Sequence, residues 1–366
     1  MTLTVCMVGP LPPPAGGMAN QTRDLVASLR GEGIDVTIVT TNAPISPASV
    51  ARIPVLRAVL RFIPFVAALW RALRSVDVAH VMANSGLSWY LFAAPAIWIA
   101  RRRSVPVVVN YRGGNARDFF QRSWKRVGPL IQGCHVAVPS EFLKGVFRDF
   151  GVDAQIVPNF VSIEPRVSAS PSPADAPHLL VTRHLEAIYD VGTCIRAFAL
   201  LRPRFPNARL TIAGDGSARP ALESLCRELD IGRHVRFAGN VRNDALKALL
   251  ASADVLLNSS LVDNTPVSLI EALACGVPIV STSAGGIPFL VKDGHTALLV
   301  APGDADALAA AADRLLSSPA LTAILVENGL RSAEQFRWSS VRSRWLSLYL
   351  DAVPPAAAVS ADRVSS

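Results

Sequence analysis

Short apolar runs free of charge recur along this sequence, alternate with amphipathic stretches, and do so in two successive sets. The first set reads as strands at Leu3–Gly9, Val36–Thr40, Val76–Met82, Val105–Tyr111, His135–Pro139 and Gln155–Pro158, rich in Val and Ile. Stretches such as Asn20–Arg30 and Glu141–Phe150 between them have helical periodicity. A strand with no polar face must be covered on both sides, and the alternating helices supply the cover. The pattern therefore predicts a parallel sheet wrapped by helices. It restarts with Leu179–Thr182, Arg209–Ala213, His234–Ala238, Val255–Asn258, Pro278–Ser281 and Ala297–Val300. Between the sets lies Glu164–Pro177, a Pro/Ser/Ala stretch without periodicity that reads as a linker.

The expected fold class is α/β with two doubly wound domains, over residues 1–163 and 178–335, joined by a linker at 164–177. Phe336–Ala352 reads as a last amphipathic helix packing back toward the first domain, with a flexible tail at 353–366. Open sheets of this kind take ligands beyond the carboxyl ends of their strands, so a cleft between the domains is the expected site.

Composition narrows the setting. Half the residues are hydrophobic and 17% are charged, which fits a globular chain rather than a disordered one. No stretch of about 20 uninterrupted apolar residues occurs, so no transmembrane helix is predicted. The start of the sequence reads as a first strand rather than a secretion signal. The five cysteines are scattered and have no CxxC pair, arguing against a disulfide framework or a zinc site and for a reducing cytoplasm. Residues 1–165 hold 17 Lys and Arg against 9 Asp and Glu, whereas residues 166–366 hold 19 of each. The whole basic excess lies in the first half, which favours an anionic partner: nucleic acid, an acidic membrane surface or a diphosphate-bearing substrate.

The first strand runs into GPLPPPAGGMANQ, with Gly16 and Gly17 just ahead of a helix. Paired glycines let backbone approach a ligand, and a helix N-terminus attracts an anion. A plain strand-to-helix turn uses the same pair, and both readings stand.

Three blocks of the second half, Ile212–Val241, Ala253–Thr282 and Gly285–Leu316, together resemble the donor domain of family-four (group 1) retaining glycosyltransferases. The resemblance runs from Leu179 to about Tyr349 and extends more weakly to Gly16-Gly17 and Pro139–Phe160. It implies the GT-B fold, two Rossmann-like domains facing across a cleft, and a nucleoside diphosphate sugar as donor substrate with no cofactor or metal. The family carries two acids in an E-x7-E arrangement, which fall here on Asp263 and Glu271. The resemblance implies that Glu271, taken to open a helix, accepts hydrogen bonds from the ribose hydroxyls, and that Asp263 lies nearer the transferred sugar. Asn264, Thr265, Pro266 and Val267 would line the sugar and phosphate pocket, the helix N-terminus holding the diphosphate. Gly214 and Asp215 would shape the nucleotide pocket, with Val241 beside the base, although a structural turn is an equal reading for Asp215. Pro266 stands where the family often has Gly, removing one backbone donor. Family members usually pair an Arg with a Lys to neutralise the departing diphosphate. Arg183 matches the first; the second position holds Tyr189, and no Lys lies nearby.

On the acceptor side, His80, Asn110 and Arg112 are expected at strand ends, binding acceptor or phosphate, with a packed histidine and a structural ion pair as the rival readings. Val50–Arg74 is apolar and aromatic, with five arginines and no acid. Phe65, Val66, Leu69, Trp70 and Leu73 form one stripe. Such a segment suits an anionic membrane interface, with Arg101-Arg102-Arg103 adding to it, or equally a core helix with snorkelling arginines.

The function expected is transfer of a hexose-type sugar, with retention, to a hydroxyl of a lipid-linked or cell-envelope polysaccharide acceptor, by a cytoplasmic or peripheral membrane enzyme. The alternative is a catalytically degenerate GT-B protein acting as a scaffold. An epimerase of the same fold would need a cluster of carboxylates and histidines that is not found. Nucleic acid ranks last, for want of a recognition signature.

Overall fold

The computed structural model describes residues 3–13, 16–43, 54–161, 175–241 and 243–353, with side chains left out at 54–61 and 243–244. The chain divides into two compact units: unit 1 comprises Met1–Pro158 and Val341–Ser366, and unit 2 comprises Asn159–Ser340.

Unit 1 carries β1 (Thr4–Gly9), α1 (Gly17–Gly31), β2 (Asp35–Thr40), α2 (Pro54–Ala72), β3 (Val78–Ala83), α3 (Ala94–Arg102), β4 (Val107–Tyr111), α4 (Ala116–Ile131), β5 (His135–Val138), α5 (Glu141–Asp149) and β6 (Gln155–Ile156). Unit 2 carries β7 (His178–Thr182), α6 (Val191–Leu201), β8 (Arg209–Ala213), α7 (Arg219–Glu228), β9 (Val235–Gly239), α8 (Asn243–Ser252), β10 (Val255–Asn258), α9 (Val267–Cys275), β11 (Ile279–Thr282), α10 (Ile287–Leu290), β12 (Leu298–Val300), α11 (Ala305–Ser317) and α12 (Pro319–Ala333). The last helix is α13 (Trp338–Ala352). All twelve expected strands form; β1, β3, β4, β7, β10 and β11 bury nearly every residue on both faces, while β2, β6 and β9 are partly exposed.

Both sheets are six-stranded and wholly parallel, ordered β2-β1-β3-β4-β5-β6 and β12-β11-β10-β7-β8-β9. The strand order reverses between β1 and β3 in unit 1, and between β7 and β10 in unit 2. At such a point neighbouring connections leave in opposite directions and open a crevice outside the strand ends.

The division between the units falls at Pro158/Asn159 and Ser340/Val341 rather than at 163 and 335. Asn159–Val161 are tied into unit 2: Val161 donates its amide to Phe336 (3.0 Å), Phe160 packs on the Trp338 ring (5.0 Å), and Asn159 Nδ2 donates to the Thr265 carbonyl (3.0 Å). Residues 162–174 of the expected linker, and the tail from 354, lie outside the described residues. From Val341 the last helix belongs to unit 1, burying Val341, Trp345, Leu348, Tyr349 and Ala352 at helical spacing. Among the described residues no single helix is long and apolar enough to cross a membrane.

Candidate active site

The segments leaving β7 and β10 build the crevice of unit 2. Arg183 is the first residue after β7. Five residues beyond β10 stands Asp263, whose carboxylate pairs with the Arg183 guanidinium across the reversal point. The two side chains are only 11% and 12% exposed, so each charge leans on the other. Ser260 Oγ offers Asp263 a hydrogen bond (3.2 Å) that it shares with Asn258, and the Asn264 amide donates to it (2.8 Å).

Tyr189 completes the group. Its ring lies under the Arg183 guanidinium, 4.0 Å from centroid to Cζ, a cation–π contact. The short turn Ala187–Tyr189 ends at Asp190, held in the left-handed region at φ 41°, which folds the chain back before α6. That turn is pinned to the β10 loop: Ser259 Oγ donates to the Asp190 carbonyl (2.7 Å), and the Leu261 amide donates to Ile188 (2.9 Å). Burial pushes the Tyr189 hydroxyl above its ordinary pKa, against the pull of Arg183, so it remains a neutral donor.

Glycines fix the walls. A Cβ on Gly214, which holds φ +156°, would lie 1.8 Å from the Arg183 carbonyl oxygen. The turn Gly214–Gly216 thus presses directly on the backbone that carries Arg183, and Leu185 donates its amide to Asp215 (3.0 Å). Asp215 itself spends its carboxylate locally, accepting from the Gly216 amide (2.9 Å) with Arg219 at 3.6 Å, which is the structural-turn reading. Gly285 and Gly286 close the other side: a Cβ on either would lie 2.2 Å from the Asp263 or Asn264 carbonyl oxygen. Sequence reasoning did not single out Gly285 and Gly286. The Gly-Gly pair was the only signal, since its contact requires the ends of β10 and β11 to be known as neighbours.

The helix α9 begins at Val267 with Pro266 as its N-cap, without a capping side chain. Glu271 is therefore the fifth residue of the helix and not its opening, a correction: Pro266, extended and without an amide, ends the loop and the helix starts directly after it, four residues ahead of Glu271. Val267 and Glu271, one turn apart, are partly exposed, whereas every other residue of α9 is buried. The amides of Val267 and Ser268 lack intrahelical partners by position, and Arg183 Nη1 lies 3.5 Å from Ser268 Oγ. Two buried polar atoms in this cluster, Arg183 Nε and Thr265 Oγ1, have no hydrogen-bond partner. In a folded protein such atoms call for an explanation, and a polar ligand supplies one. Asn264, Thr265 and Pro266 are buried. Val241 lies past the end of β9, two strands from β7 and about 10 Å away by strand spacing.

In unit 1 the outcome differs. His80 is the third of six residues in β3 and Asn110 the fourth of five in β4, so they are not at strand ends. Arg112 Nε donates to Asn110 Oδ1 (3.0 Å), and a guanidinium only donates, so the Asn110 amide nitrogen must face His80. It donates to His80 Nε2 (3.0 Å), which leaves the imidazole proton on Nδ1, directed at the Tyr349 hydroxyl (2.7 Å). Burial, then the Arg112 charge, pulls His80 down to about 3, so it stays neutral. The expectation that His80 and Asn110 bind an acceptor is thereby corrected: they form an internal strut that fastens α13 to the sheet. Arg112 orients that strut, and burial lowers its own pKa to about 10, still charged at neutrality. Gly16 caps α1 in an extended conformation open to any residue, and a Cβ on Gly17 would meet nothing within 4 Å. Among the described residues nothing around Gly17 requires it to be glycine.

Two doubly wound domains, one with a cation–carboxylate pair at its reversal point and an uncapped helix N-terminus beside it, define a two-domain α/β protein of the Rossmann-like class. Two family models tile the chain, Glycosyltransferase Family 4 over residues 15–165 and Glycosyl transferases group 1 over residues 164–332. The chain belongs to the group 1, family-four glycosyltransferases. Among curated relatives, it is 41% identical over 138 residues to the MMP alpha-(1->4)-mannosyltransferase of Mycolicibacterium hassiacum, covering 37% of this chain and 34% of that protein. It is 34% identical over 156 residues to the uncharacterized glycosyltransferase MJ1607 of Methanocaldococcus jannaschii, covering 42% and 40%. These matches thus span well under half of the relatives' lengths. Among solved structures, sucrose-phosphate synthase from Thermosynechococcus elongatus superposes with TM-score 0.76 at 22% identity, covering 95% of this chain and 98% of that one. Anabaena HepE, solved with UDP-glucose, superposes with TM-score 0.72 at 17% identity, covering 95% and 99%. At these identities the likeness establishes the shared GT-B fold.

Proposed function

We propose that the protein is a retaining glycosyltransferase that moves a hexose-type sugar from a nucleoside diphosphate to a hydroxyl of a lipid-linked or cell-envelope polysaccharide acceptor. The observation that carries this reading is the Arg183–Asp263 pair seated on Tyr189 at the reversal point of unit 2. Arg183 and the first amides of α9 receive the diphosphate, whose negative charge grows as the sugar departs. Asp263 holds Arg183 in place and accepts from hydroxyls of the transferred sugar. Glu271, about 6 Å down the helix from Val267, accepts from the ribose hydroxyls. The bond from the anomeric carbon to the diphosphate breaks while a bond to the acceptor oxygen forms on the same face, and the acceptor proton passes to the departing phosphate oxygen. Protein cations take the place of a metal in this scheme. Binding of UDP-glucose by HepE and mannosyl transfer by the M. hassiacum enzyme support a nucleotide-sugar donor. All five cysteines are free and four are buried, which suits a reducing cytoplasm.

A second reading, a catalytically degenerate binder, is favoured by Tyr189, which brings no charge where the family usually has Lys. Titration calorimetry with UDP-, GDP- and ADP-sugars, followed by a donor-hydrolysis assay, separates the two. Binding with turnover supports the enzyme, binding without turnover supports the binder, and absence of binding removes both.

A further inference from the structure

The helix α2 presents two different faces over the residues whose side chains are described. Phe65, Leu69 and Leu73, four residues apart, are buried in the unit 1 core. The opposite face carries Ile63, Ala67, Trp70 and Arg71, at the spacing of a single helical stripe and all exposed, and Arg74, in the turn just past the helix, is exposed as well. Ile63 is 63% exposed and Trp70 is 41% exposed. A shallow groove of ≈ 500 Å³ runs along this side, lined by Phe62, Ile63, Val66, Ala67, Trp70 and Arg71. The neighbouring α3 adds Trp98, 49% exposed. Two arginines at its C-terminal end lie over the exposed indoles, Arg103 4.1 Å from the Trp70 ring and Arg102 4.6 Å from the Trp98 ring. These contacts place both tryptophans beside cationic heads. Arg101, by contrast, is spent on the carbonyls of Pro129, Leu130 and Gln132 and adds nothing to the patch.

We infer that this face of α2 and α3 docks on the surface of an anionic phospholipid bilayer, with Ile63, Trp70 and Trp98 entering the headgroup region and Arg71, Arg74, Arg102 and Arg103 meeting lipid phosphates. Indole rings with one apolar and one polar edge settle at that depth, and arginines around them draw the surface toward negative charge. No Asp or Glu occurs between Val50 and Arg74 or between Leu87 and Arg103 to oppose the attraction. The same basic ring disfavours a second copy of this chain as the occupant, because two such faces repel. The inference is independent of the donor site, and it gives the lipid-linked acceptor reading a physical route to its substrate.

Co-sedimentation of the full chain with vesicles of pure phosphatidylcholine, and of phosphatidylcholine with phosphatidylglycerol at 7:3, tests it. Binding is expected on the anionic vesicles alone and should weaken as salt rises. Each surface arginine near anionic lipid strengthens partitioning about fivefold, so Arg71→Glu with Arg74→Glu should weaken it at least about tenfold. Arg233→Glu with Arg236→Glu, the same charge change on exposed residues of unit 2, should leave partitioning within about twofold. Trp98→Ser with Ile63→Ser should also weaken it, with an unfolding transition in urea unchanged from wild type as the check on folding of unit 1. Equal partitioning onto both vesicle types, or equal loss in the unit 2 control, overturns the inference. So does absence of vesicle binding together with salt-sensitive capture of a single-stranded oligonucleotide, which assigns the patch to nucleic acid. Failure of UDP, GDP and ADP to bind wild type, with vesicle binding intact, strikes the donor-site reading instead.

Discussion

The two units follow one plan and use its polar residues in opposite ways. Each is a six-stranded parallel sheet whose order reverses once. In unit 2 the charged residues come after the strands end, Arg183 beyond β7 and Asp263 beyond β10, and each side chain keeps a small exposed fraction, 11% and 12%. In unit 1 the corresponding polar residues stand inside β3 and β4, where His80 and Asn110 are 0% and 1% exposed. Position before or after the strand end thus separates the strut of unit 1 from the groups proposed to bind the donor in unit 2.

The contrast predicts effects of different kinds and sizes. Asp263→Ala should destabilise unit 2 most, by about 3–5 kcal/mol in urea unfolding, because it strands a largely buried guanidinium. Removing both charges, in Arg183→Met with Asp263→Asn, should cost clearly less. Equal costs would mean that the pair is not coupled.

His80→Leu should come next, costing about 2–3 kcal/mol by leaving the buried amide of Asn110 and hydroxyl of Tyr349 without their partner, while donor affinity stays within about twofold. A comparable loss of donor affinity would return His80 to the binding machinery.

The same histidine makes unit 1 acid-sensitive. It is neutral when folded, with a pKa near 3, and takes a proton when unfolded below its ordinary 6.5. The unfolded state therefore gains protons first as pH falls, and stability drops from pH 6.5 toward 3 with no change above that window. His178 in unit 2 is also lowered, by burial, so the informative quantity is the difference between wild type and His80→Gln. That difference should shrink by about 2 kcal/mol between pH 7 and pH 5. A constant difference would refute the buried neutral imidazole.

Tyr189 gives the smallest effect. Tyr189→Phe keeps the ring face and should hold donor affinity within about threefold, whereas Tyr189→Leu should lose about threefold to thirtyfold, the worth of a partly desolvated cation–π contact. Equal loss in both variants would shift the role from the ring to the hydroxyl.

The strands were readable because Val-rich runs such as Val105–Tyr111 hold their pattern on both faces of a sheet. Arg183, Asp263 and the helix carrying Glu271 came from the resemblance in the second half. Three features were out of reach for physical reasons. The observed β3 runs one residue past the expected strand end at Met82, so His80 stands third of six, three residues short of the end. The helix starts right after Pro266, four residues before Glu271, which makes Glu271 the fifth residue rather than the opening one. The stacking of Tyr189 on Arg183 depends on a left-handed Asp190 folding the chain back, and no periodicity announces it. Along α2, the stripe from Phe65 to Leu73 mixed two faces: Phe65, Leu69 and Leu73 are buried, while Trp70 looks outward.

Calorimetric titration of UDP, GDP and ADP into wild type and into the Arg183→Met, Asp263→Asn double variant bears most directly on where the donor is held. The double variant leaves no stranded charge, so the folded domain should be retained while the cation proposed to meet the diphosphate is gone. Affinity for the preferred nucleotide should fall by about a hundredfold or more, the scale of a charged donor removed from a preorganised site. Affinity within about twofold of wild type would mean that the reversal point of unit 2 does not hold the diphosphate.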